Sequence, residues 1–264
     1  MGAPPTLGLG MPTPVGSLIG QGLAPTVSQS GGSGNGHLPD SVSTLIFSSG
    51  FESGYAGFND VADNEITTAV ALTGSQSTRI PNQSTGSKFG VLTKFISEVD
   101  EIGLRGYAYF SSAVSLPNLP AGGLHMWRAF RGSDPNGDFD GPIIDAGLAR
   151  ARIDFVALTA GGADAIYEPS PTYNPAAAAF TDRWVLWEVY IKLNTPGTSD
   201  GIVKWWIDNE DTPRVDISNG NFRSVAGAAF KINRVNFQSN VGGVAADWPV
   251  AEWWAVDDVE IWVP

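Results

Sequence analysis

Two stretches of strict apolar–polar alternation lie back to back between Arg183 and Asn209. In the first, Val185, Trp187, Val189, Ile191 and Leu193 share one phase, while Trp184, Glu188, Tyr190 and Lys192 share the other. In the second, Val203, Trp205 and Ile207 alternate with Lys204 and Trp206. A period of two over this length predicts strands with one buried face. Residues 194–201 are rich in Pro, Gly, Ser and Asp, which predicts the turn of a hairpin. A returning strand is expected over 214–217. One face of this central sheet should be dry and the other wet, and the wet face is where chemistry would sit.

Weaker strand signals recur at 42–47, 65–72, 88–96, 103–111, 124–131, 151–158, 165–167, 231–238 and 254–263. Turn residues separate them. Residues 176–180 could give one helical turn, and no longer helical pattern is present. Many short strands predict an all-β fold, a two-sheet antiparallel sandwich or jelly roll. The expected body is 41–264.

The pattern fails before that body. Residues 1–40 carry no charged side chain before Asp40 and show neither a strand nor a helix period. Such a segment cannot bury enough surface to offset its ordering entropy. It is expected to be an extended arm that takes shape only against another molecule. Its anchors would be Leu7, Leu9, Met11, Val15, Leu18, Ile19, Leu23 and Val27. Residues 28–36, SQSGGSGNG, read as a flexible hinge, which leaves His37 on loose chain.

Composition narrows the partners. The chain of 264 residues has 27 acidic and 15 basic side chains, a formal charge of -12. A surface of that sign repels phosphate, so no nucleic-acid partner is expected. No apolar run approaches the roughly 18 residues that span a bilayer, and no secretory leader or membrane partner is expected. With no cysteine there are no disulfides and no thiolate metal sites. The sequence lacks HExxH, a Walker A loop, GxSxG and the ExDxxE of sandwich glycosidases.

Some residues carry a resemblance. FESG at 51–54 and VDDVEI at 256–261 resemble the opening and closing strands of concanavalin A-like and carbohydrate-binding jelly rolls. The stretch from Trp187-Glu188 through KLNTPG at 192–197, Asp200-Gly201 and Trp206-Ile207-Asp208 is similar to jelly-roll polysaccharide lyases of the alginate and glucuronan type. The resemblance covers roughly 45–264 and implies a concanavalin A-like sandwich. Such a fold hosts lectins, hydrolases, lyases and capsid proteins alike.

The resemblance also implies a site. A lyase needs a cation to neutralise the uronate carboxylate and a base to take the neighbouring proton. Arg105, His125, Arg131 and Tyr190 have that chemistry, though the resemblance does not fix which residues match. Tyr107, Tyr109, Trp127, Lys192 and Trp206 would serve a glycan or a protein partner equally well. In related jelly rolls a structural calcium joins the first and last strands, which would make Glu52 and Asp258 its ligands. Separately, Asn136, Asp138 and Asp140 precede Gly141 at alternate positions, the spacing of a tight calcium loop. The distal acid is missing, since Gly147 stands twelve positions on from Asn136. No cofactor beyond such a calcium is required.

The arm decides the functional expectation. A leaderless, cysteine-free chain with an uncharged Pro/Gly arm suits a virion surface protein, a bacteriophage capsid decoration or cement protein. Its partners would be capsid or other virion subunits held through the arm, with homo-oligomer formation and glycan binding at the exposed jelly roll. The competing readings are a polysaccharide lyase and a non-catalytic carbohydrate-binding module.

Overall fold

The alternation between Arg183 and Asn209 forms the hairpin it predicts. In the computed structural model the described residues are 36–81, 90–111, 124–130, 138–145, 150–155, 181–208, 210–223, 225, 231–241 and 253–264. Among them are fourteen strands and no helix. These are β1 Thr44–Ser49, β2 Asp60–Ala62, β3 Glu65–Thr67, β4 Ser77–Pro81, β5 Gly90–Val99, β6 Glu101–Phe110 and β7 Leu124–Phe130. The second half has β8 Asp138–Asp145, β9 Arg150–Phe155, β10 Trp184–Lys192, β11 Gly201–Ile207, β12 Val215–Gly220, β13 Ile232–Val241 and β14 Trp253–Val263.

They form two antiparallel sheets. The eight-stranded sheet runs β12-β11-β10-β6-β14-β4-β3, with β1 also on β14. The six-stranded sheet runs β2-β5-β13-β7-β8-β9. First and last strands pair, as the resemblance implied, with Phe47 opposite Ile261 and Ser49 opposite Val259. The fold is the expected all-β sandwich.

The core lies between the sheets and is heavy in aromatic rings. Trp187 and Trp205 stack with centroids 5.3 Å apart, and both are fully buried. From the facing sheet, Trp127 meets Phe237 edge-on at 5.8 Å. Val185, Val189, Ile191, Leu193, Val203 and Ile207 complete the dry phase of the central hairpin. Burying Trp or Phe side chains stabilises such a core by roughly 1.5–3 kcal/mol each.

One corner ties the two layers together. Asp100 stands where the chain passes from β5 in one sheet to β6 in the other. Its carboxylate accepts Arg223 Nη1 at 2.7 Å, just after β12, and Lys231 Nζ at 3.0 Å, just before β13. Burial alone would raise the Asp100 pKa, but these two cations hold it below the usual carboxylate value.

Three strand assignments differ from expectation. β4, with sequence STRIP, and β2 are too short and polar to show a period. β8 takes in Asp138, Asp140 and Gly141. The alternate spacing of Asp138 and Asp140 is therefore that of a strand rather than a tight calcium loop, and this corrects that expectation. The expected elements at 165–167 and 176–180, and Asn136, lie outside the described residues.

Candidate functional site

The face expected to be wet is covered at its centre. Across the eight-stranded sheet, Trp206, Glu188, Arg105 and Glu260 stand in one row, on β11, β10, β6 and β14. Glu188 is completely buried. The cover is residues 36–43, the strap that leads into β1. His37 Nδ1 lies 2.5 Å from Glu188 Oε2, and the His37 backbone N–H donates to Oε1 at 3.2 Å. The imidazole stacks on Trp206, with centroids 5.9 Å apart and planes 12° apart. Arg105 approaches Glu188 at 3.4 Å and Glu260 at 3.5 Å. His37 is thus fixed in the body, not carried on a loose hinge.

The next row explains why the strap seats here. Leu38 and Val42 are buried against Tyr190, Trp206, Ile202 and Trp262. Gly103, opposite Tyr190 on β6, leaves the gap that takes Leu38; a Cβ there would lie 2.6 Å from Leu38 Cδ1. Gly36 has φ +67° and packs on the Glu188 carboxylate, so a side chain is excluded on both counts. Ser41 donates to Glu101, which also accepts the Tyr190 hydroxyl at 2.7 Å. Burial and the bond to Glu101 push the Tyr190 phenol well above its ordinary value. Tyr190 is therefore a poor proton acceptor.

The cations described on this sheet have acidic partners within it. Arg79 pairs with Glu65 at 2.6 Å, Lys192 with Glu101 at 4.0 Å and Lys204 with Asp216 at 3.3 Å, beside the Arg105 pairs.

The four residues with lyase chemistry do not share a face. Arg105 and Tyr190 belong to the eight-stranded sheet, whereas His125 belongs to β7 in the other. Arg131 lies outside the described residues. Trp127, expected on a wet face, is fully buried in the core. Both phases of β7 carry large apolar residues, so its alternation alone did not reveal which side faces in. Of the other expected contact residues, Trp206 lies under the strap, Lys192 sits beside Glu101, and Tyr107 and Tyr109 are half-buried on β6.

The six-stranded sheet carries a polar row of its own. Asp60, Thr93, Asn236, Arg128, Asp140 and Asp154 occupy successive ladder positions on β2, β5, β13, β7, β8 and β9. Leu92, Val235 and Phe237 flank Thr93 and Asn236 and point into the core. Alternation turns Thr93 and Asn236 to the outer side. Yet both are buried, at 4% and 5% exposure. Arg128 falls between Trp127 and Ala129, which are both in the core. The sequence held this signal as polar residues inside apolar strands, but it emerges only with the register.

Where the chain ends meet, three acids hold one loop. Glu52 accepts the backbone N–H groups of Ser75 and Gln76 and the Ser75 hydroxyl, bonds that hold its carboxyl below the usual range. Asp257 accepts Leu72 N–H at 2.8 Å, and Asp258 accepts the Thr73 hydroxyl at 2.9 Å. A β-bulge at Asp257–Asp258, with Asp258 at φ 46°, sends both acids outward while Val256 and Val259 stay in the core. Burial, with Asp258 beside it, pushes Asp257 up to about 7. Burial and Glu260 raise Asp258 as well. Glu52 and Asp258 thus meet at one loop. Among the described residues, no three histidine or acidic side chains converge as a metal cage would require. The donor set is nonetheless of the hard-oxygen kind that calcium takes.

Comparison with solved structures is decisive for the architecture. An endo-β-1,4-glucuronan lyase from the fungus Trichoderma reesei superposes with a TM-score of 0.60 at 12% identity, over 84% of this chain and 96% of that one. The marine PL-14 alginate lyase from Aplysia kurodai gives 0.59 at 15% identity, over 84% and 100%. The fold is that of the alginate and glucuronan lyases. An alginate lyase from Chlorella virus superposes at 0.54 with 11% identity, over 84% and 100%. No protein-family model and no curated protein sequence matches the chain. At such identities the lyase fold is shared and the residues of a site are not thereby matched. The capsid-decoration expectation draws no support from these neighbours, and its anchor residues Leu7 to Val27 lie outside the described residues.

Proposed function

We propose that the protein is a polysaccharide lyase that cleaves an acidic glycan by β-elimination on the outer side of its six-stranded sheet. The observation that carries this reading is the buried Asn236 between Thr93 and Arg128 in the polar row. A buried amide in a sheet that faces outward suits a cleft better than a solvated surface.

In this reading Arg128 neutralises the uronate carboxylate, and the Asn236 amide orients it. The acidified C–H then loses its proton to a carboxylate of the row, for which Asp140 stands next to Arg128. The electron pair forms a carbon–carbon double bond as the bond to the glycosidic oxygen breaks, and that oxygen leaves with a proton returned by the newly protonated carboxyl or by water. The neutralised cations of the other sheet favour this side. The shared lyase fold adds support of a coarser kind.

The test is incubation with alginate and glucuronan while following the ultraviolet absorbance of the unsaturated uronate. Release of that product, and its loss in Arg128→Ala, supports the reading. A folded protein that yields no such product on either polymer removes it.

A further inference from the structure

Among the described residues, the outward side of the eight-stranded sheet has a stretch that neither the strap nor the carboxylate row occupies. Tyr107 and Tyr109 on β6 and Trp184 on β10 are half-buried there, with Trp184 directly opposite Tyr109 in the ladder. The Tyr109 and Trp184 rings lie 5.6 Å apart, tilted by 56°. The buried Leu186, opposite Tyr107, floors the stretch. The Tyr109 hydroxyl donates to Asp182 at 3.2 Å, and Arg183, next to Trp184 in the chain, pairs with Asp208 at 2.9 Å.

We infer that Tyr107, Tyr109 and Trp184 form a stacking site for an uncharged sugar chain, separate from the proposed cleavage site. Aromatic faces take the C–H side of a pyranose, and the polar rim takes its hydroxyls. Rings tilted by 56° cannot both lie flat on one sugar, so they suit successive units of a twisted chain. Charge selects the class. Asp182 accepts the Tyr109 hydroxyl, Asp208 accepts the Leu186 N–H, and Asp258 and Glu260 act electrostatically on Tyr107. The nearby cations are already paired: Arg79, in the same row as Tyr109 and Trp184, with Glu65, Arg105 with Glu188 and Glu260, and Arg183 with Asp208. Carboxylates accept sugar hydroxyls and repel uronates. The site therefore takes a neutral hexose polymer and rejects an acidic one.

The test is isothermal titration of the full chain with hexasaccharides of β-1,4-glucan, β-1,3-glucan and mannan, and with an alginate hexasaccharide. The expected result is binding of at least one neutral chain, no competition by alginate, and at least about tenfold weaker binding in Trp184→Ala, equivalent to ~1.4 kcal/mol. Arg128→Ala, aimed at the other sheet, should leave this binding intact, which separates the two proposals. If Trp184→Ala does not fold, Tyr109→Ala and Tyr107→Ser give the same reading. The inference is overturned if no neutral chain binds, if alginate competes, if folded variants bind as the parent does, or if the patch proves to be a self-association surface.

Discussion

His37 Nδ1 stands 2.5 Å from Glu188 Oε2, although 151 residues separate them in the chain. The contact joins a glycine-flanked strap to the centre of the longest alternating strand pair. A completely buried carboxylate is tolerated only when it is hydrogen-bonded, and the strap supplies two of its donors. Replacing His37 by Ala removes one donor and the stack on Trp206. The expected loss is about 1–3 kcal/mol of unfolding free energy, measured in urea. A loss below the error of the fit would mean that the strap does not need this pair.

Asp257 gives stability a pH dependence. Its folded value is about 7 against an ordinary 3.8, so between those values the folded chain holds a proton that the unfolded chain releases. The contribution is fully present below pH 3.8 and is lost as pH rises towards 7. Unfolding curves from pH 4 to 8 should show declining stability that flattens in Asp257→Asn. An equal decline in the variant would assign the effect elsewhere.

Calcium should act on the same corner. An ion shared by Glu52 and Asp258 would relieve the crowding of acids around residues 72–76. Millimolar calcium is expected to raise the melting temperature, and Asp258→Asn to abolish the rise. Absence of a shift in the parent protein excludes calcium from this site.

Catalysis tests the polar row directly. Arg128→Ala should lower the rate of uronate release by roughly 100-fold or more, as loss of one charge-stabilising group does elsewhere. Asn236→Ala should lower it less and raise KM, because an orienting amide binds ground and transition states alike. Circular dichroism must show both variants folded. A Tyr190→Phe variant should keep its rate, since that phenol is tied to Glu101 under the strap.

The hairpin was legible because Val185 to Leu193 and Val203 to Ile207 alternate without a break and carry tryptophans in the dry phase. The phase of β7 was not, since Met126 and Phe130 balance Trp127 and Ala129. The strap was invisible for another reason. Its two apolar residues, Leu38 and Val42, show no period, and their groove is assembled from β6, β10, β11 and β14. The polar row depends on six strands falling into register, which no local pattern encodes. The acids at 52 and 258 were found because the first and last strands carried recognisable motifs, whereas the buried Asp257 became visible only with the bulge.

The Asp100 corner sets how the sandwich can breathe. With Arg223 and Lys231 locked to one carboxylate, the two layers share a spine, as the pages of a book do. Any parting of the layers must widen with distance from that spine. Neutralising Asp100 would free the motion at its pivot.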